Sequence, residues 1–317
     1  MDNRWRVYEF LLGKAAGSTA AIEELVIGLT WTLCRAGGTG LAMSPAMATR
    51  TLPWSGTLRG QAAMDIAGWV KSWQPHAATV GMATLNALLN QGSPLLAKAQ
   101  AVSGAGPANL RVFEHFLPRL SGRRVVVVGR YPGLERYQQQ FDLQVIERQA
   151  ADEDLPDPAC EYVIGDADWV FLTASSLSNK TFPRLAELAR DANLVLMGPT
   201  VPWVEELAEF GVDFLAGVRI IDEAALRQTV MEGGGTRIFE TGVQYCIADI
   251  GTRNLQGYKH DIARLYAERD ELKREMEQWY GNRQLGRFPG YQRLDVIEQQ
   301  LSRLDSQYKR MWDARHL

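Results

Sequence analysis

Two short stretches carry most of the side chains that could do chemistry. The first, TASSLSNKTF, runs from Thr173 to Phe182 and brings together Ser175, Ser176, Asn179 and Thr181 without a glycine. The second is Gly198-Pro199-Thr200-Val201-Pro202-Trp203, which follows an apolar run at 194–197. Hydroxyls and amides at this density suit a polar or anionic ligand, helped by the free amides of a following helix. The competing reading is a helix cap, with Asn179 or Ser178 as N-cap of a helix starting near 180, and Thr200 in the N-cap region of the next helix. A nucleophilic serine is disfavoured, because no G-x-S-x-G elbow surrounds it and no histidine lies nearby as base.

Other candidates are weaker. The turn Gly129-Arg130-Tyr131-Pro132-Gly133-Leu134 sits where a dinucleotide fingerprint would sit, but Tyr131 and Leu134 replace its second and third glycines. That disfavours NAD(P), although Glu147 stands where a ribose-binding acid would lie. Gly233-Gly234-Gly235-Thr236 reads as a helix C-cap before it reads as a phosphate cradle. Asp152, Glu153, Asp154 and Asp157 form an acidic loop, a solvated linker by default and a hard-metal site by exception. The four histidines and three cysteines show no metal-ligand spacing. Cys34, Cys160 and Cys246, odd in number and far apart, suit buried reduced thiols in the cytoplasm.

Positioning these residues falls to a chain of 317 residues, 46% hydrophobic and 22% charged, with a net charge of -3. Such a composition fits a soluble protein of two domains and offers no footprint for bulk nucleic-acid binding. The opening MDNRWRVYEF has no apolar signal-peptide core, and no apolar run reaches membrane-spanning length. We expect no membrane partner.

Three regions separate. Residues 1–118 read as α+β: a helix over 4–16, apolar runs at 24–32 and 40–43 around a Gly37-Gly38 hairpin turn, then helices over 59–73 and 76–89. Asn86 is polar within the last of these and, if buried, must be hydrogen-bonded, to backbone or to something in a cleft lined by Thr30 to Thr32 and the 37–40 turn. Residues 119–254 alternate strands (124–129, 143–147, 169–173, 194–198, 214–221) with helices (134–140, 182–191, 204–210, 222–232), implying a parallel, Rossmann-like sheet. Residues 255–317 carry two heptad rhythms, Tyr258 to Trp279 and Leu294 to Met311, joined by a loop holding Arg283 and Arg287. They form a helical hairpin whose seams pack on each other, on the body or on a second subunit.

Taken together, Gly28-Leu29-Thr30-Trp31-Thr32, Leu85-Asn86-Ala87, the T-x-S-x-L-x-N-x-T spacing of 173–181, Gly198-Pro199-x-x-Pro202 and Phe214-Leu215-Ala216-Gly217 resemble one family. It is the "putative heavy-metal chelation" family, built from domains of unknown function 364 and 4213. The resemblance covers about 5–250 and leaves the hairpin outside. It implies an enolase-N-terminal-like α+β domain followed by a Rossmann-like domain, with a site between them. Residue by residue it points to Ser175, Ser176, Asn179, Thr181, Gly198, Pro199 and Thr200, with Asn86 across the cleft. Ala174 stands where the family usually has glycine.

The function expected from both readings is binding of a small polar or anionic molecule, a metal ion or a metal complex in that cleft, in metallocofactor metabolism. One alternative is a transferase or lyase using a nucleotide-like cofactor there. Another is an assembly protein that dimerises or docks a protein partner through 255–317.

Overall fold

The computed structural model describes residues 3–104, 106–150 and 153–316; Asp152 of the acidic loop lies outside the described residues. The chain forms two units, Met1–Ile250 and Gly251–Leu317.

Near the start of the first unit, β1 (Glu24–Ile27), β2 (Trp31–Arg35) and β3 (Thr39–Met43) make an antiparallel meander in sequence order. The Gly37-Gly38 hairpin is present between β2 and β3, with Gly37 at φ 69°. The single run expected over 24–32 is two strands instead, because Gly28 closes a turn by donating its amide to Trp31 O at 2.9 Å. Four helices belong to this part: α1 (Arg6–Ala15), α2 (Ala63–Ala67), α3 (Pro75–Asn90) and α4 (Pro94–Lys98). α1 buries Val7, Tyr8, Leu11 and Ala15, one stripe of its surface. α3 is buried almost all round from His76 to Ala87, and its small residues let neighbours approach its backbone. A Cβ on Gly40 of β3 would collide with the main chain of Ala83 and Ala87. The helix expected over 59–73 is confined to α2 and a 3-10 turn at Gly68–Lys71.

The second sheet contains β4 (Gln100–Ala101), β5 (Arg124–Val128), β6 (Asp142–Ile146), β7 (Trp169–Thr173), β8 (Asn193–Met197), β9 (Phe214–Ile220) and β10 (Val243–Asp249), in the order β4-β10-β9-β8-β7-β5-β6. β5 to β9 are parallel and nearly continuous in apolar residues, as strands covered on both faces must be. The five expected strands are parallel as read; two strands the sequence reading did not include extend the sheet antiparallel, β10 beside β9 and β4 beside β10. After α9 (Glu223–Met231, capped by Asp222) the glycines at 233–235 turn the chain back through a short helix, so that Val243 pairs with Ile220. α5 (Arg111–Leu120) sets Phe113 and Phe116 against Trp169, Phe171 and Phe214, with ring centroids 4.8 to 5.3 Å apart. α6 (Cys160–Val163), α7 (Ser175–Ser178) and α8 (Phe182–Leu188) are short, and α10 (Ile238–Thr241) is a single turn. Where helices were expected over 134–140 and 204–210 the chain forms 3-10 segments, Leu134–Tyr137 and Glu205–Phe210, each bounded by a left-handed glycine.

The second unit is a hairpin of α11 (Thr252–Gly281) and α12 (Tyr291–His316). Leu265, Ile297 and Leu301 form its core, with Ile262, Leu272 and Leu304 packed around them, so the two seams meet each other. Arg293 grips Glu268 through two bonds of 2.6 and 2.9 Å, and Arg287 stacks on Tyr291. Among the described residues no helix is long and apolar enough to cross a membrane.

Candidate functional site

The parallel strands wind outward from β5 to β6, then the chain jumps back over β5 to begin β7, β8 and β9. Such a sheet opens a crevice at the carboxyl ends of the two strands flanking the reversal, here β5 and β7. Gly129 ends β5 with φ 101°, and a Cβ there would come within 3.0 Å of Thr173 Cβ. Only glycine permits both the conformation and the approach. Thr173 Oγ1 lies 3.0 Å from Ser175 Oγ and also accepts from the Ser175 amide at 3.4 Å. On its other side Thr173 bonds the Tyr131 hydroxyl, whose pKa is raised, chiefly by burial. Gly198, at φ 110°, completes the rim from β8: a Cβ there would sit 3.8 Å from Tyr131 Oη. Tyr131, Thr173 and Ser175 each keep part of their surface in solvent, while the Tyr131 hydroxyl itself is buried and anchors the row.

Ala174, where the resemblance led us to expect glycine, has φ -68° and ψ -11°. That is ordinary helical backbone, which alanine adopts without strain.

The remaining motif residues divide. Ser176 is 1% exposed and its Oγ has no hydrogen-bond partner. Asn179 is exposed, and its Oδ1 accepts from the amide and the hydroxyl of Thr181 at 3.0 and 2.7 Å. It follows α7 as the C-cap, and α8 begins later, at Phe182, so the expected N-cap role belongs to neither Asn179 nor Ser178. Asn86 and Thr200 do meet, but inside the protein. Asn86, fully buried, donates its two amide hydrogens to Leu41 O and Thr200 O, both at 2.8 Å. Its Oδ1 is left without a partner. The Thr200 hydroxyl does not cap a helix; it accepts from the Met43 amide at 2.9 Å. One turn along α3, Asn90 donates to Val201 O and accepts from the Trp203 amide, and Ser93 donates to Trp203 O. The 198–203 loop is therefore stapled to the first part of the chain. Tyr8 Oη donating to Leu177 O and the bidentate Glu24–Arg227 pair add to this seam. Arg227 holds the Glu24 carboxyl below its ordinary range.

Pro199 faces a different space, a groove of about 590 Å³ that also involves the Gly37 to Thr39 turn, Asn90, Arg219 and Glu223. Its charges satisfy one another: Arg35 pairs with Glu223 at 3.0 Å and with Glu23 at 3.2 Å, and Thr39 donates to Glu223 at 2.7 Å. Arg219 donates to Leu96 O at 2.6 Å.

The other sequence candidates have local duties. Both Glu147 oxygens accept main-chain amides, from Arg130 at 2.8 Å and from Arg148 at 2.7 Å. The glycines after α9 form the expected C-cap, with Gly233 and Gly234 donating to Val230 O and Thr229 O. Asp154 pairs with Arg130, and Asp157 with Arg148. Sequence reasoning included Thr173 in the hydroxyl-rich stretch without singling it out, and missed Tyr131; the signal was that Tyr131 follows the end of β5.

A soft-metal centre finds no support in the donor set. Among the described residues no three His, Cys, Asp or Glu side chains gather. All three thiols are buried, and burial pushes Cys34 and Cys160 up to about 11 and raises Cys246. Protonated, separated thiols are poor ligands.

Two family models match the chain, DUF4213 over residues 8–89 and DUF364 over 111–249, both described as "Putative heavy-metal chelation". The two matches bear out the resemblance to both domains of unknown function. Both matches end before the second unit begins at Gly251. A DUF364-family protein of unknown function from Desulfitobacterium hafniense DCB-2 is 29% identical, with a TM-score of 0.67 over 78% of this chain and 99% of its own. A second, from Pyrococcus horikoshii, is 17% identical with a TM-score of 0.65 over the same shares, and shows the fold alone. A comparison with curated proteins gives no match.

Proposed function

We propose that this chain binds a small polar or anionic molecule on the rim formed by Gly129, Tyr131, Thr173, Ser175 and Gly198. One observation carries the reading: a connected row of hydroxyls, on residues that each keep part of their surface in solvent, stands at the switch point of a doubly wound sheet, where such folds take ligands. The two left-handed glycines leave room for a ligand to approach the backbone. Oxygen donors suit a metal that arrives already complexed, as a metal chelate, better than a bare soft ion. Asn86 and Thr200 hold the wall behind the rim. Three unpaired buried thiols favour a reducing compartment.

The test is a thermal-shift series on wild type and on Thr173→Val/Ser175→Ala. Its probes are phosphate, sulfate, citrate, adenine nucleotides, divalent metals alone and ferric citrate. The expected result is that an anion or a metal–anion complex raises the wild-type Tm. The double variant starts from a somewhat lower Tm, because it strands the Tyr131 hydroxyl and the Ser175 amide, and binds about tenfold or more weakly, the cost of one or two hydrogen bonds. A panel that leaves wild type unmoved, or moves both proteins equally, sinks the reading.

A further inference from the structure

Arg219, the next-to-last residue of β9, lines the groove of about 590 Å³ together with Leu96. Its Nη2 donates to Leu96 O at 2.6 Å and to Ala99 O at 3.4 Å, carbonyls at the end of α4. A cation suits a helix C-terminus, but a single ammonium would serve there as well. The guanidinium holds more than that duty uses. Among the described residues no carboxylate pairs with Arg219, and its Nε and Nη1 have no hydrogen-bond partner; neither nitrogen is sealed from solvent. The groove therefore carries a fixed positive charge with N–H groups still to give.

The rest of the lining says what those donors would meet. Leu41, Pro199 and Val218 are buried, Ile220 is half-buried, and Ile221 is 60% exposed. These walls are aliphatic, and among the described residues no aromatic ring lines the groove for a base or flavin to stack on. Elsewhere in the lining Arg35 is shared by Glu23 and Glu223, two carboxylates to one guanidinium. That surplus of negative charge repels a ligand carrying a second anionic group.

We propose that this groove binds an aliphatic monocarboxylate, its carboxylate on the Arg219 guanidinium and its hydrocarbon body against Leu41, Val218 and Ile220. Charge-assisted bonds from the guanidinium fix the acid group, and burial of the branched body adds affinity. The site is separate from the hydroxyl rim at the ends of β5 and β7, and stands or falls separately from it.

Full-length protein is titrated with 4-methylpentanoate at low ionic strength and followed by NMR, including the arginine Nε–H resonances. The expected Kd is on the order of 1 mM, as suits so small a ligand. Acetate, which lacks the body, and glutarate, which adds a second charge, should each bind about tenfold or more weakly. Arg219→Lys keeps a cation over the α4 carbonyls, so it should fold and yet bind 4-methylpentanoate about tenfold more weakly. Ile221→Asp, on an exposed side chain, should weaken binding to a similar extent. Thr173→Val/Ser175→Ala should bind 4-methylpentanoate as wild type does. No binding below about 10 mM, glutarate bound as tightly, or wild-type affinity in Arg219→Lys overturns the proposal. If Arg219→Lys fails to fold, wild-type affinity in Ile221→Asp overturns it instead.

Discussion

Asn86 offers the sharpest test of how the two modules of the first unit are joined. Its amide makes two bonds of 2.8 Å to carbonyls that lie 45 and 114 residues away in sequence. Asn86→Ala removes both and strands two buried carbonyls, at about 1–3 kcal/mol each. It also deletes the unpartnered Oδ1, which returns a similar single amount. The net loss is about 3 kcal/mol once the small cavity is included. For a unit of this size that lowers Tm by roughly 6–12 °C. Asn86→Asp keeps the volume but turns acceptors toward acceptors. A carboxyl there keeps its proton in the folded state, so its folded pKa lies above the unfolded one. The folded chain then binds more protons, and stability falls as pH rises from about 4 to neutrality. Differential scanning calorimetry of both variants at pH 5 and pH 7.5 reads the two effects. A loss below about 1 kcal/mol for alanine, or an aspartate variant that is flat with pH, would refute the clamp.

Three further outcomes are expected. Gly129→Ala should cost more than Gly198→Ala in Tm: both carry the left-handed penalty of about 1–2 kcal/mol, but only Gly129 would also press on Thr173. Equal losses would contradict the close approach of β5 and β7. The thiols should be silent to Ellman's reagent in native protein at pH 8 and react in denaturant. Because their folded pKa values are raised, stability should fall between about pH 9 and 11, as the unfolded chain loses protons the native one keeps. Native labelling at pH 8 would count against their burial. Ile297→Ala should remove about 2–5 kcal/mol from the hairpin. Breaking the exposed Arg293–Glu268 pair should leave the melt nearly unchanged, both read by far-UV circular dichroism melts.

Local pattern exposed much of this fold. β5, β7 and β8 announce themselves as apolar runs, and the Gly37-Gly38 turn, the Asp222 cap and the two heptad rhythms are local signals as well. Strand direction is not local. β10 has a strand-like composition, yet whether it adds parallel or antiparallel depends on how the glycines after α9 return it to Ile220. β4 is two residues long and has no periodicity to read. The site was half legible for the same reason. The hydroxyl-rich loop marks one side, but Tyr131 enters the rim only because Thr173 lies across from it, a contact between different strand ends. That a buried Asn86 must be bonded follows from the sequence; that Thr200 is the partner follows only from the fold. The left-handed backbone at Lys180 runs against its residue type, so no propensity could foretell it.

The central claim is best tested by a crystal structure of the protein grown with the anion or metal chelate that most raises its Tm. The account predicts difference density against Thr173 Oγ1 and Ser175 Oγ, bounded by Tyr131 and Gly198. Density in the Arg35–Arg219 groove instead, with an empty rim, would contradict it.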